Sequence, residues 1–144
     1  MKAVRITREH LGEIAALEAL CFSEPWSEHA LELLLGDDAT GFVCLEEGHV
    51  LAYGGMLVVP YEGQITNVAV HSNARRKGLG RKIVEALVYE AEVRGLEQVA
   101  LEVRASNEAA IALYKSLGFR VEGRRRGFYR HPTEDALVML KGLQ

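Results

Sequence analysis

Little in this sequence points away from an ordinary aqueous compartment. Cys21 and Cys44 are its only cysteines, and they form no paired metal motif, so both read as core or spare thiols and no metal is expected. No apolar run approaches the roughly 20 residues needed to span a bilayer. Met1-Lys2-Ala3-Val4-Arg5 has no hydrophobic signal region. The cytoplasm is the simplest location. Repeats, low-complexity segments and linkers are absent, so 1–144 reads as a single domain of ordinary size. Two familiar phosphate-binding loops are missing as well. The P-loop pattern Gly-x-x-x-x-Gly-Lys-Ser/Thr does not occur, and the dinucleotide fingerprint fails because Ile83 stands where a third glycine or alanine is required.

What is present is concentrated between Asn67 and Glu92. Gln64 to Val70 is apolar and β-branched enough for a strand. From Leu79 onward the apolar residues Leu79, Ile83, Val84, Leu87, Val88 and Ala91 fall at helical spacing. Arg75, Arg76, Lys77, Gly78 and Gly80 lie between strand and helix. A helix start leaves N–H groups unpaired at the positive end of the dipole, and glycines admit an anion close to the backbone. The junction therefore reads as a phosphate site, most naturally for a pyrophosphate. A solvated basic turn capping an ordinary helix is the plainer alternative.

Charge is unevenly spread. Residues 1–62 hold 3 basic and 11 acidic side chains, and residues 63–144 hold 14 basic and 9 acidic, giving −8 and +5. A basic half suits a polyphosphate and an acidic half a cationic substrate, although such charges also simply decorate surfaces.

The chain in order reads as follows. Ala3 to Ile6 is a short strand, and Thr7 caps a helix from about Arg8 to Cys21 with Leu11, Ile14, Leu17 and Cys21 on one face. Pro25 breaks the chain beside Trp26, which reads as packing against the helices. Ser27 caps a second helix that ends at Gly36. Gly41 to Leu45 and Val50 to Val59 form a hairpin, followed by the central strand and helix, the latter closed by Gly95. Glu97 to Ala105 is a strand, and Asn107 caps a helix stopped by Gly118. Phe119 to Glu122 is a strand, Gly123 to Pro132 a basic aromatic loop, and Ala136 to Leu140 a last strand. The order β-α-α-β-β-β-α-β-α-β-β is that of a mixed α/β domain.

Two motifs now stand in order: Arg75-x-x-Gly78-x-Gly80, and Asn-x-x-Ala-x-x-Leu-Tyr-x-x-x-Gly-Phe from Asn107 to Phe119 behind Leu101-Glu102-Val103-Arg104-Ala105-Ser106. Together they make the second half similar to the GCN5-related N-acetyltransferases. Pro25-Trp26-Ser27, Asn67-Val68-Ala69-Val70 and Glu134-Asp135-Ala136-Leu137-Val138-Met139 resemble the bacterial branch that acetylates the N-terminal alanine of a small-subunit ribosomal protein. Phe128-Tyr129 departs from the Tyr-Tyr pair expected there, in a loop that shapes the substrate end. The resemblance implies a central mixed sheet of roughly six to seven strands, two splayed parallel strands, and about four flanking helices.

It also implies acetyl-coenzyme A as donor. Acetyl transfer needs a neutral amine, a positioned thioester, stabilisation of the oxyanion and a proton for the leaving thiolate. The resemblance makes Glu102 the general base, a residue that otherwise reads as a solvated carboxylate or one paired with a neighbouring arginine. It makes Tyr114 the general acid, which otherwise reads as an aromatic packed on the sheet. Asn107 is implied to hold the donor besides capping its helix. Val68, Ala69 and Val70 are implied to present backbone to the pantetheine arm, in the manner of an added strand. Arg75, Arg76, Lys77, Gly78, Leu79, Gly80 and Arg81 would contact the pyrophosphate, and Lys115 would add charge to the same ligand. Arg124-Arg125-Arg126 reads as a solvated run.

The implied partner is the peptide N-terminus of a basic ribosomal protein, met by a monomer or weak dimer, with no DNA and no membrane. An α-amine with a pKa near 7.7–8.0 is deprotonated far more often at neutral pH than lysine at about 10.4, which suits a single carboxylate base. Acetylation of a small amine is the enzymatic alternative. An RNA binder built on Arg124 to Arg126 with Phe128 and Tyr129, or a non-catalytic coenzyme A sensor, would belong to other classes.

Overall fold

The computed structural model describes residues 1–143. The elements, in chain order, are β1 (Ala3–Arg5), α1 (Leu11–Cys21), α2 (Glu28–Leu31), β2 (Ala39–Glu46), β3 (His49–Val59), β4 (Glu62–Val70), α3 (Leu79–Val93), β5 (Gln98–Arg104), α4 (Glu108–Ser116), β6 (Arg120–Tyr129) and β7 (Glu134–Gly142). This is the order read from the sequence. The strands form one seven-stranded sheet ordered β1-β2-β3-β4-β5-β7-β6. Every neighbouring pair is antiparallel except β4 and β5, which run parallel.

Each face of the sheet carries an apolar layer. On one face α3 buries Leu79, Ile83, Val84, Leu87 and Ala91 against the sheet, a cluster that also takes in Tyr114 and Phe119. The fit is close at Gly54, where an added Cβ would lie 2.4 Å from Ile83 Cγ2. On the other face Leu11, Ile14 and Leu17 of α1 pack with Leu31, Leu34, Val43 and Tyr53. Burying side chains of this kind contributes roughly 1.5–3 kcal/mol each, so the two layers dominate the stability of the sheet.

Local details differ from the sequence reading at three places. The first helix opens with a 3-10 turn over Arg8–His10, where the Thr7 N–H donates to His10 Nδ1 at 3.0 Å. The second is a single α-turn, capped by Ser27 Oγ accepting from the Ala30 N–H at 3.1 Å, which continues as a 3-10 turn over Glu32–Leu35. The third difference is a correction. The expected loop from Gly123 is strand for most of its length, because β6 runs to Tyr129 and pairs with β7. Arg120 to Phe128 are all exposed, so no apolar alternation marks the strand. The backbone bonds to β7 hold it, and its charged composition suits an unpaired outer edge.

The site is set by how β4 leaves β5. The two strands pair only at Glu62–Gln98, Gly63–Val99 and Gln64–Ala100. Beyond that point β5 stays paired with β7 as far as Arg104, and β4 stays with β3 as far as Val70. A register shift opposite Gly54 to Met56 inserts one extra residue into β4 around Thr66 and Asn67. Such a bulge bends its strand and re-aims side chains. Here it lies just where the parallel pair parts, and an open cleft follows.

Candidate active site

Two cavities occupy the cleft, of about 530 Å³ and 570 Å³. Cys21, Phe22, Val68, Asn107, Ala110 and Tyr114 line both, so they adjoin. The second is walled by the α3 start and the end of β4, and the first by β5, the loop after α1 and the β6–β7 turn.

The second cavity has the features of a donor site. Gly78 caps α3 with φ +76°, a left-handed conformation that suits glycine. The first intrahelical bond runs from Lys82 N–H to Gly78 O at 3.2 Å, leaving the N–H groups of Leu79, Gly80 and Arg81 without helical acceptors. Arg75, Arg76 and Arg81 line the same space, and Arg81 Nη2 is anchored on Ser116 Oγ at 2.7 Å. A Cβ on Gly80 would meet Leu113 Cδ2 at 3.5 Å and Val70 Cγ2 at 3.7 Å, which are ordinary contacts. The protein's own packing therefore does not require glycine there, and the missing side chain leaves room for an anion to approach the backbone.

The β4 edge completes this cavity. His71 N–H bonds Leu51 O at 2.8 Å, and the register pairs Tyr53 with Ala69. Ladder bonds in an antiparallel pair alternate, so the backbone of Val68 and Val70 points away from β3 into the cleft. Val70 O already receives Arg75 Nε at 3.2 Å and the Cys21 thiol at 3.8 Å. The backbone of Val68 turned into the cleft, the helix start and the arginines fit a coenzyme A moiety with a pantetheine arm and a pyrophosphate. Lys77 and Lys115 stand exposed and line neither cavity.

Glu102 and Tyr114 both line the first cavity. Glu102, on β5, is paired with Arg125 Nη1 of β6 at 3.3 Å, so the arginine partner that the sequence left open is real and the residue still faces the cleft. Tyr114, on α4, is buried and packs edge to face on Phe119 at 5.8 Å between ring centroids. Burial pushes its phenol up to about 12, with a smaller contribution from Tyr129. Asn107 Oδ1 accepts from the Ala110 N–H at 3.2 Å, so it caps α4 while lining both cavities.

Other residues at this end fall within the quoted motifs but carry no assigned role there. Tyr129, last in β6, is buried enough to be pushed up to about 12, by desolvation first and then by Glu102, with Arg104 opposing. Arg104 stacks over the Tyr129 ring at 4.5 Å and donates to Arg130 O at 3.1 Å, Pro132 O at 3.0 Å and Glu134 Oε1 at 3.2 Å. Ser23 Oγ donates to Arg130 O at 3.0 Å, joining the loop after α1 to the β6–β7 turn. The Ser106 hydrogen bonds, ahead of Arg104, hold the Glu134 carboxyl below the usual carboxylate range. Arg124 pairs with Asp135 at 2.9 Å, and none of Arg124 to Arg126 lines either cavity.

Glu18 is a further residue that sequence reasoning misses. It is fully buried on α1 and accepts from three neutral donors: the Trp26 N–H at 2.9 Å, Asn67 Nδ2 at 2.8 Å and the Tyr53 hydroxyl. Burial first, and then the Glu18 charge, hold the Tyr53 phenol far above its ordinary range. A signal is available, since Glu18 falls four residues after Ile14 and seven after Leu11, on the apolar stripe itself.

Comparison with known proteins agrees with this geometry. The model of the acetyltransferase (GNAT) family matches residues 11–119. The ribosomal protein bS18-alanine N-acetyltransferase of Escherichia coli K12 is 41% identical over 127 residues, covering 85% of this chain and 84% of that one. The N-alpha-acetyltransferase RimI of Mycobacterium tuberculosis is 34% identical over 141 residues, covering 93% and 87%. The crystal structure of the ribosomal-protein-S18-alanine N-acetyltransferase from Escherichia coli superposes with a TM-score of 0.91 at 35% identity, over 99% of this chain and 94% of that one. With its splayed parallel strands, glycine-capped helix start and paired cavities, the chain belongs to the acetyltransferase (GNAT) family.

Proposed function

We propose that the chain moves an acetyl group from acetyl-coenzyme A to the N-terminal α-amine of a ribosomal protein, at an alanine as in bS18. One observation carries this reading. Glu102 and Tyr114, from different elements, line a single cavity that adjoins the donor cavity. The likeness to two bS18-alanine N-acetyltransferases supports the choice of acceptor. The chain works as one domain, in the cytoplasm.

Acetyl-coenzyme A, when bound, supplies the acetyl group as an activated thioester. The backbone of Val68 and Val70, flanking Ala69, would hold the pantetheine arm. Arg75, Arg76, Gly78, Leu79, Gly80 and Arg81 would hold the pyrophosphate, and Asn107 would fix the arm between them. The acceptor enters as an ammonium ion, and Glu102 takes a proton from it, directly or through one water. The neutral amine attacks the thioester carbonyl; a C–N bond forms and the C–S bond breaks. Tyr114 gives its proton to the departing sulfur. Its raised pKa keeps the phenol protonated at neutral pH, and holding both reactants in adjoining cavities supplies much of the rate. A second proton leaves the nitrogen for solvent, and the proton held by Glu102 is passed through solvent to the Tyr114 phenolate, which returns both residues to their starting forms.

The test uses acetyl-coenzyme A and two alanine-initiated peptides, one with a free and one with a blocked N-terminus, each with an internal lysine. Mass spectrometry locates the acetyl group. The expected result is acetylation of the free N-terminus alone, lost in Glu102→Gln and reduced in Tyr114→Phe. Acetyl-lysine on both peptides would overturn the acceptor, and no transfer despite coenzyme A binding would redirect the reading to a small amine.

A further inference from the structure

A buried carboxylate that the acetyl-transfer chemistry does not use stands behind the acceptor wall. Glu18 has no exposed surface, and its bonded neighbours come from three other parts of the chain: Trp26 after α1, Tyr53 on β3 and Asn67 on β4. A carboxylate left unpaired there would be strongly unfavourable, so three donors converge on it. What matters for the cleft is what this does to Asn67.

Asn67 sits in the β4 bulge where the parallel strands part, and it lines the same cavity as Glu102. An amide has a donor end and an acceptor end, and its orientation follows from its neighbours. Glu18 Oε2 accepts from the Nδ2 end at 2.8 Å. That leaves Oδ1 as the free end. It accepts no hydrogen bond from a described residue, and Asn67 lines the cavity.

We propose that Asn67 is an acceptor-binding residue, its Oδ1 taking a hydrogen bond from the incoming amine, and that Glu18 is the positioning residue that keeps that oxygen facing the cleft. The assignment rests on the proposed acylation of an amine. An ammonium group brings three N–H donors into a partly dry cleft, and Glu102 accounts for only one. Asn67 Oδ1 serves a second from the opposite strand of the splay. The nitrogen is then held between β4 and β5, where both walls are fixed by sheet bonds to their outer neighbours. Tyr53 and the Trp26 N–H occupy two more of the roughly four acceptor sites of Glu18 and hold its carboxyl in place behind the amide.

The test is steady-state kinetics on the full chain with acetyl-coenzyme A and an alanine-initiated peptide, for wild type, Asn67→Ala, Glu18→Gln and the double variant Glu18→Gln/Asn67→Asp. Asn67→Ala is expected to raise the peptide KM roughly ten- to a hundredfold, the range for a hydrogen bond to a charged group, with the acetyl-coenzyme A KM within about twofold. Glu18→Gln keeps the interior filled but can donate to Asn67, so the amide turns its NH₂ towards the cleft. A peptide KM raised about three- to tenfold is expected. In the double variant the carboxylate introduced on β4 accepts from the amide introduced on α1 and again presents an oxygen to the cleft. The peptide KM is then expected to return to within about threefold of wild type. A purely structural role would lower the melting temperature and turnover with both substrates together, without rescue by the double variant, and would overturn the proposal. So would an unchanged peptide KM in Asn67→Ala while the wild type transfers acetyl. Absence of wild-type transfer to any amine would instead overturn the underlying function, and this role with it.

Discussion

The two ends of the cleft are built in opposite ways. The donor end is centred on one continuous stretch, Val68 to Arg81, which supplies a strand edge and a helix start, and is closed by α4 and the end of α1. The acceptor end is made of side chains from the loop after α1, β4, β5, α4 and the β6–β7 turn. A backbone site needs a strand edge, a helix start and glycine, which are local properties. A side-chain site needs convergence, which only packing provides. Changes at the two ends should therefore separate, with donor-end variants altering affinity for one ligand and acceptor-end variants altering turnover or affinity for the other.

The largest separation is expected from Glu102→Gln. Turnover should fall roughly 10²–10⁴-fold, the range for a general base, while coenzyme A binding measured by calorimetry stays within about twofold. A parallel loss of coenzyme A affinity would mean that the two ends are not independent. Next comes Gly80→Val, whose branched side chain would occupy the space before the α3 N–H groups. The acetyl-coenzyme A KM should rise at least about tenfold with the peptide KM unchanged. A rise in both would break the comparison from the donor side.

Tyr114→Phe tests the boundary, because this residue lines both cavities. Loss of about ten- to a hundredfold in turnover is expected, with both KM values nearly unchanged, if the phenol acts only as a proton donor. Glu18→Ala sharpens the structural side. It leaves the Trp26 N–H, the Tyr53 hydroxyl and Asn67 Nδ2 without their shared acceptor. Stability to urea should drop by about 3 kcal/mol.

The smallest effect is a control away from both ends. Arg94 first, and then Arg5, hold the Glu90 carboxyl of α3 below its ordinary value of 4.5. The group is depressed on folding, so its contribution is present above the unfolded value and lost as pH falls through the folded one. Wild type and Glu90→Gln should therefore differ in stability above about pH 4.5 and converge below it. Activity at neutral pH should not change.

The same contrast explains what is legible beforehand. Order of elements, the α3 start at Leu79, the Asn107 cap and the Gly118 stop (φ +96°) are short-range matters, and the structure has them where periodicity and turn chemistry place them. Strand β6 reads as a loop past Glu122 because an edge strand exposed along Arg120 to Phe128 has no buried face to impose alternation. Glu18 reads as an ordinary polar residue of α1, although its place on the apolar stripe is the mark of a buried charge. Its partners lie 8, 35 and 49 residues away, beyond any local pattern. Lys77 and Lys115, which the resemblance implies as donor contacts, stand exposed outside the lining of both cavities.

Sequence alone determined the alternation of strand and helix, the apolar stripes that make two layers on one sheet, and the glycine-capped helix start that suits an anion. Each depends on residues within a few positions of one another. Tertiary structure decided where β4 parts from β5, which backbone groups are left free there, that Arg125 pairs with Glu102, and that Glu18 bonds the Asn67 amide by its nitrogen. These depend on a bulge, a strand register and buried hydrogen bonds between distant segments, and their energies exist only once the chain has packed.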